Sequence, residues 1–230
     1  VGDTNELRGM VAVKCDPYTF LPQDEKDAFD LCEVFTSIQG EGRDSGAHAL
    51  FIRLNGCNLR CPWCDTKYSW ETGRFVPQEK ILREIKEYQA RYGSNYIVWT
   101  GGEPLLQEEQ IYKVILKTRD FYHLLETNGT IIPSRSYLFN AIAVSPKEEF
   151  YPEWLSHHNA YVKLVVDDIE KAVKFQSLYH VPSQWFFVMQ KTLYPFNLPE
   201  HLAKEKELAR GCIQHGYNFS PRLQLYFEVK

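Results

Sequence analysis

"ALFIRLNGCNLRCPWCDTKYSW", Ala49 to Trp70, puts an apolar run directly before Cys57, Cys61 and Cys64, which are spaced three residues and then two. The run from Ala49 to Leu54 has no clean alternation, the pattern of a parallel strand covered on both faces. Runs of the same kind recur at "YIVWT" (96–100), "FYHLLET" (121–127), "AIAVS" (141–145), "YVKLVV" (161–166), "WFFVMQ" (185–190) and "RLQLYFEV" (222–229). Amphipathic stretches lie between them: 76–93, with Pro77 in its first turn and Gly93 as its stop, then 106–120, 168–180 and 198–216. Strand and helix in alternation predict βαβ units and a parallel sheet, open or curled. Roughly six units are too few to close an eight-stranded barrel. The predicted class is α/β, a partial (β/α)6 barrel of parallel strands.

The chain of 230 residues, 44% apolar, can bury one sizeable core. No repeat, low-complexity tract or linker divides it, so 29–230 is expected to form a single domain; residues 1–28 match no pattern and are set apart as an N-terminal extension of unknown role. No stretch approaches the roughly 18 apolar residues of a membrane span, and "VGDTNELRGM" lacks the basic-then-apolar order of a signal peptide. A cytoplasmic protein without a membrane partner is expected, in which six cysteines point away from a disulfide framework. Twenty-six basic against 30 acidic side chains, net −4, provide no electrostatic footprint for nucleic acid. A small-molecule substrate fits better.

In parallel α/β folds the site gathers at the carboxyl ends of the strands. The unusual motifs all fall there: the cysteines after Leu54, "TGGEP" after Val98, "ETNGT" after Leu125 and "SPK" after Val144. Structural zinc commonly takes four ligands from two pairs. Here a fourth would have to come from Cys32, His48 or Asp65, none of which forms a second pair. An iron-sulfur cube held by three thiolates keeps one iron open for an outside ligand. Paired glycines in "TGGEP" allow close backbone approach, and Glu103 can meet an ammonium group, although a Gly-Gly turn is also ordinary punctuation. Cys15, Cys32 and Cys212 are too scattered to share a site.

The C-x3-C-x2-C run after the first parallel strand resembles the signature of radical S-adenosylmethionine enzymes, and "TGGEP" resembles their GGEP element. "EVFTSIQGEGRDSG" (33–46), taken alone a glycine-rich turn beside an edge strand, together with "HALFIRLNGC" and "CPWCDTKYSW" resembles the 7-carboxy-7-deazaguanine synthases of queuosine and related deazapurine biosynthesis. That resemblance implies ring contraction of 6-carboxy-5,6,7,8-tetrahydropterin with loss of ammonia, a 4Fe-4S cluster, S-adenosylmethionine, Mg2+, an external one-electron reductant such as flavodoxin or ferredoxin, and a homodimer. It implies that Cys57, Cys61 and Cys64 hold the cluster and that the Thr66 hydroxyl binds magnesium. Trp63, Cys64 and Asp65 would border the adenine of S-adenosylmethionine, Gly102 and Glu103 its methionine end, and Ser145, Pro146 and Lys147 its ribose, with Glu126 and Gln190 also on the cofactor side. Ile38, Gln39, Gly40 and Thr100 would contact the pterin. Glu41 would bind its aminopyrimidinone edge, and Arg53 would hold its carboxylate through a planar fork of donors. The chain departs from the family pattern at Gln190-Lys191, where Gln-Pro is frequent, and at Glu228, aligned with a frequent histidine. The sequence leaves two rivals, a glycyl-radical-activating enzyme of the same superfamily and a zinc-stabilised binding module.

Overall fold

A computed structural model describes residues 27–71, 73–147, 150–192 and 196–229. Apart from Asp27 and Ala28, the expected N-terminal extension lies outside the described residues, as does Cys15.

Among the described residues nine strands form one sheet in the order β3-β1-β2-β4-β5-β6-β7-β8-β9. They are β1 (Ala28–Ile38), β2 (His48–Leu54), β3 (Arg74–Pro77), β4 (Tyr96–Gly101), β5 (Tyr122–Thr127), β6 (Ala141–Val144), β7 (Ala160–Val166), β8 (Phe186–Gln190) and β9 (Asn218–Ser220). From β2 onward through β4 to β9 the pairing is parallel, while β1 pairs antiparallel with both β2 and β3 at one edge. The expected parallel α/β architecture is present and its sheet is open. Helices among the described residues fill crossovers: α1 (Gln78–Tyr92), α2 (Glu108–Ile115), α3 (Ile169–Tyr179) and α4 (Leu198–His215). Among the described residues the β5–β6 and β6–β7 crossovers carry only short 3-10 turns, so the (β/α)6 repeat is interrupted twice. No described helix is long and apolar enough to cross a membrane.

Local chemistry sets the helix ends. Gly93 at φ 65° and Gly216 at φ 70° stop α1 and α4 in the left-handed region open to glycine. Asp168 accepts the Lys171 backbone N–H at 2.9 Å to start α3, and Asn197 does the same for Glu200 at 3.2 Å in α4. Pro77, expected inside the first turn of α1, stands just before it as the last residue of β3.

The last predicted strand, 222–229, is absent. Its place in the sheet is taken by Asn218–Ser220, paired with β8, and Leu223–Phe227 forms a short helix, α5. Pro221 follows β9 and has no N–H to continue the ladder. The polar–apolar alternation from Arg222 onward therefore serves a helical turn that leads back across the end of the sheet.

Side-chain alternation divides the sheet into two faces. Leu50, Ile52, Leu54, Ile97, Trp99, Leu125, Ile142, Val144, Val162, Leu164 and Val188 join the main core that contains α1 and α4 side chains. Ala49, Phe51, Val98, Leu124, Ala141, Ala143, Tyr161 and Phe187 form a smaller apolar plug on the other face. One step further along the same inward series stand Arg53, Thr100, Glu126, Lys163 and Met189, all lining a cavity. The inner face thus begins apolar and turns polar at the carboxyl ends of its strands.

Candidate active site

The cavity at those carboxyl ends has a volume of about 250 Å3 and is lined from β1, β2, β4, β5, β7 and β8 and the loops that follow them. Its first wall is the cysteine loop. A buried polar knot fixes the loop where it leaves β2. Asn55 donates its backbone N–H to the Asp30 carbonyl (2.9 Å) and its side-chain amide to the Asp30 carboxylate (2.9 Å). The Gln107 amide, on the turn before α2, donates to the carbonyls of Asp30 (3.0 Å) and Asn55 (3.1 Å) and accepts the Asp30 N–H (2.8 Å).

Cys57, Cys61 and Cys64 follow from this anchored start, and all three line the cavity wall outside any disulfide. Backbone N–H groups of Leu59 and Thr66 point at the sulfurs of Cys57 and Cys64, each at 3.4 Å. Burial pushes the Cys57 thiol up to about 11, against the Leu59 N–H, with Glu103, Cys61 and Cys64 adding to the rise. Such a thiol becomes a ligand when a metal takes the place of its proton. Among the described residues no three His, Cys, Asp or Glu side chains converge on a single ion position. A cube does not require that, since each thiolate binds a different iron.

The TGGEP turn is zipped to this loop. Gly102 donates its N–H to Leu54 (3.1 Å) and Glu103 its N–H to Gly56 (2.8 Å). A Cβ on Gly102 would lie 2.0 Å from the Gly56 oxygen and 2.9 Å from the Cys57 Cβ. The close approach that the glycines allow is therefore to the chain's own cysteine loop. Glu103, fully buried, is behind the wall and does not line the cavity. Its carboxylate accepts from the Leu105 N–H (3.1 Å), the Thr127 hydroxyl (2.9 Å) and the Asn128 N–H (2.8 Å), which ties TGGEP to ETNGT. Burial raises it to about 7 against these donors.

The facing wall is charged. Glu126 accepts from Thr100 (2.9 Å), from the Gln39 amide (3.2 Å) and from Lys163 (3.5 Å). The structure thus places it among the residues expected to hold substrate. Glu41 accepts from Lys163 (2.6 Å), the Gln224 amide (2.7 Å) and Arg222 Nε (3.0 Å). Arg222 also donates to Asp65 and Thr192. Arg53 gives its Nε to Glu33 at 2.9 Å and lies over the Phe35 ring, 5.5 Å from its centroid. At the rim, the ammonium groups of Lys147 and Lys191 each lie 5.3 Å from the Trp63 ring centroid. The Thr66 hydroxyl donates to Asp65 at 2.7 Å.

Of the residues predicted for the site, Ile38, Gln39, Gly40, Glu41, Arg53, Cys57, Cys61, Trp63, Cys64, Asp65, Thr66, Thr100, Gly102, Glu126, Ser145 and Lys147 meet on this one cavity. Glu103, Pro146 and Gln190 do not line it. Gln190 follows Phe186 and Val188 on the helix-facing side of β8, and its amide donates to the Lys191 carbonyl at 3.1 Å. Glu228 is exposed beyond α5, away from the cavity.

The Radical SAM superfamily profile matches residues 51–142, which contain the cysteine loop and the TGGEP turn. A protein of Hyperthermus butylicus called 7-carboxy-7-deazaguanine synthase is 33% identical, over 86% of this chain and 92% of its own length. The chain belongs to the 7-carboxy-7-deazaguanine synthase family. A second member, from Aquifex aeolicus, is 44% identical over 87% of this chain and 94% of its own. The fold is also that of QueE from Escherichia coli, with a TM-score of 0.64 over 84% of this chain and 93% of that one, at 22% identity. A radical SAM family implies a 4Fe-4S cluster and S-adenosylmethionine, and three thiols on one cavity wall fit the cluster.

For this member of the deazaguanine synthase family, sequence reading missed Lys163, Arg222, Gln224 and Thr192. A signal for Lys163 was present. In "YVKLVV" the residues Tyr161, Lys163 and Val165 share the inward face, so a lysine interrupts an otherwise apolar inward series. Arg222 and Gln224 had no such signal, because their segment reads as a strand.

Proposed function

We propose that this chain contracts the ring of 6-carboxy-5,6,7,8-tetrahydropterin to give 7-carboxy-7-deazaguanine, with release of ammonia. The observation that carries the reading is that the three cysteines and the Arg53, Glu41 and Thr100 side chains share one cavity of about 250 Å3. The chemistry supplied by the bound cluster and S-adenosylmethionine is homolytic removal of a hydrogen atom from a substrate carbon. The chain's own work is to hold that carbon in place. Arg53, steadied by Glu33, takes the substrate carboxylate attached to the reacting carbon. Glu41 takes the far edge of the ring, and Thr100 and Gln39, both bonded to Glu126, line its side. A displacement of about 1 Å there can reduce the rate roughly a hundredfold.

The reading includes magnesium at Thr66. A hydroxyl with its proton directed at Asp65 offers its oxygen to a hard ion that keeps most of its waters. Thr66→Ala should raise the magnesium concentration needed for half-maximal turnover by roughly tenfold or more while iron content stays at the wild-type level. An unchanged magnesium dependence would remove Thr66 from the site. An external donor such as flavodoxin or ferredoxin, a homodimer and a cytoplasmic location complete the proposal, as the family resemblance implies.

The test is to incubate anaerobically reduced protein with S-adenosylmethionine and the carboxytetrahydropterin. 7-Carboxy-7-deazaguanine should form with deoxyadenosine well below one per product. One deoxyadenosine per turnover and no deazaguanine would favour the activating-enzyme rival instead.

A further inference from the structure

One unbroken chain of charged and polar groups crosses the cavity: Thr66 to Asp65, Asp65 to Arg222, Arg222 to Glu41, Glu41 to Lys163 and Lys163 to Glu126. Its two cations have no part in the reading above. They are also the most enclosed charges in it, with side chains 6% exposed for Lys163 and 9% for Arg222. Buried charges that touch no reacting atom are held against a desolvation penalty, which calls for a role.

We propose that Lys163 and Arg222 are positioning residues that fix Glu41 as an acceptor-only group, so that the cavity selects a ring edge with paired N–H donors over one with a carbonyl there. This rests on the pterin reading of the cavity and deepens it. A protonated carboxyl has an O–H and can pair with a carbonyl-bearing edge, whereas an ionised one only accepts. Lys163 binds Oε2 and Arg222 binds Oε1, one cation on each oxygen, so both the charge and the plane of the carboxylate are set. Gln224 is the third donor, on Oε1 at 2.7 Å. As the neutral donor of the three, it yields most readily when a ring arrives.

The surroundings agree. β7 brings Lys163 and Tyr161 to this point, β5 brings Glu126, the C-terminal segment brings Arg222 and Gln224, and Asp65 lies beyond Arg222. Lys147, after β6, acts on both Lys163 and Glu41. Burial opposes the Glu41 charge, but Lys163 first and Arg222 second outweigh it and hold the carboxyl well below the usual carboxylate range. Burial likewise opposes the Lys163 charge and is outweighed by Glu126 and Glu41, so this cation is retained and is no proton donor at neutral pH.

The experiment measures binding and needs no turnover. Cluster-loaded protein with S-adenosylmethionine is titrated with 6-carboxypterin, which has the 2-amino edge, and with 6-carboxylumazine, which has a carbonyl in its place. Wild type should prefer the pterin by roughly tenfold to a hundredfold, the range for one or two hydrogen bonds to a charged group. The preference should stay level from about pH 7 to about pH 5, since Glu41 remains ionised across the usual carboxylate range. Lys163→Met and Arg222→Met each leave Glu41 with one cation fewer, which raises its pKa. Their preference should fall to within about threefold and decline further toward acid, because the protonated carboxyl gains the lumazine and loses the pterin. Folded variants that keep the wild-type ratio at both pH values would overturn the inference while leaving the pterin reading intact. If neither variant folds, wild type decides alone: a level preference supports the inference and one that fades toward acid overturns it. Wild type that binds neither ring would overturn the pterin reading and this inference with it.

Discussion

Alanine at Cys57, Cys61 or Cys64, one at a time, should abolish the visible absorption of the iron-sulfur cluster and bring turnover to background while the chain remains folded. Each thiol is one of three that share the cavity wall with no described cysteine beside them to substitute. Cys212, on α4, is part of the main core, and Cys32 is on β1. The loop that bears the triplet contributes little to the main core, so the metal-free variants should match the metal-free wild type in stability to within about 1 kcal/mol. Iron and sulfide per chain, the absorption spectrum and denaturant midpoints of the metal-free forms check this together. A single variant that kept a full cluster and wild-type turnover would remove that cysteine from the ligand set.

The second large effect is expected at Gly102. Its missing Cβ is what lets the TGGEP turn lie against Gly56 and Cys57, and an added methyl would meet the Gly56 carbonyl at 2.0 Å. Those neighbours are backbone, so the collision cannot be relieved by turning a side chain. The two backbone hydrogen bonds that zip the turn to the loop, from Gly102 and Glu103, would be lost with it. Gly102→Ala should reduce stability by about 2 to 4 kcal/mol and lower iron content in parallel, because the same shift moves Cys57. Gly93→Ala is the control. It too adds a methyl to a turn, at φ 65°, but no atom lies within 4 Å of the added carbon. It should reduce stability by about 1 kcal/mol and leave the iron content unchanged. Equal iron content in the two variants would show that the zipped contact does not position the cluster loop.

Much of the molecule follows from local order along the chain. The cysteine spacing, the glycines that stop α1 and α4, the Asp168 cap and the alternation of apolar runs with amphipathic stretches are all short-range features, and short-range chemistry sets them. The same holds for the gathering of motifs at one end of the sheet, because every strand from β2 onward runs the same way and so delivers its carboxyl end to the same rim.

Tertiary structure decided the rest, wherever the outcome depended on what a distant segment presented. Glu103 reads as a carboxylate aimed at a ligand, but Thr127 and Asn128, on the next strand's end, supply donors that turn it into the wall. Residues 222–229 alternate like a strand, yet β9 at Asn218–Ser220 already occupies the sheet edge and Pro221 ends the ladder, so Arg222 and Gln224 fold inward onto Glu41. Lys163 meets Glu41 across 122 positions of sequence and Arg222 meets it across 181. No local periodicity encodes such a separation. Only the parallel register, which faces Lys163 into the cavity, and the return of the C-terminal segment bring these buried charges together, where mutual attraction offsets the loss of water.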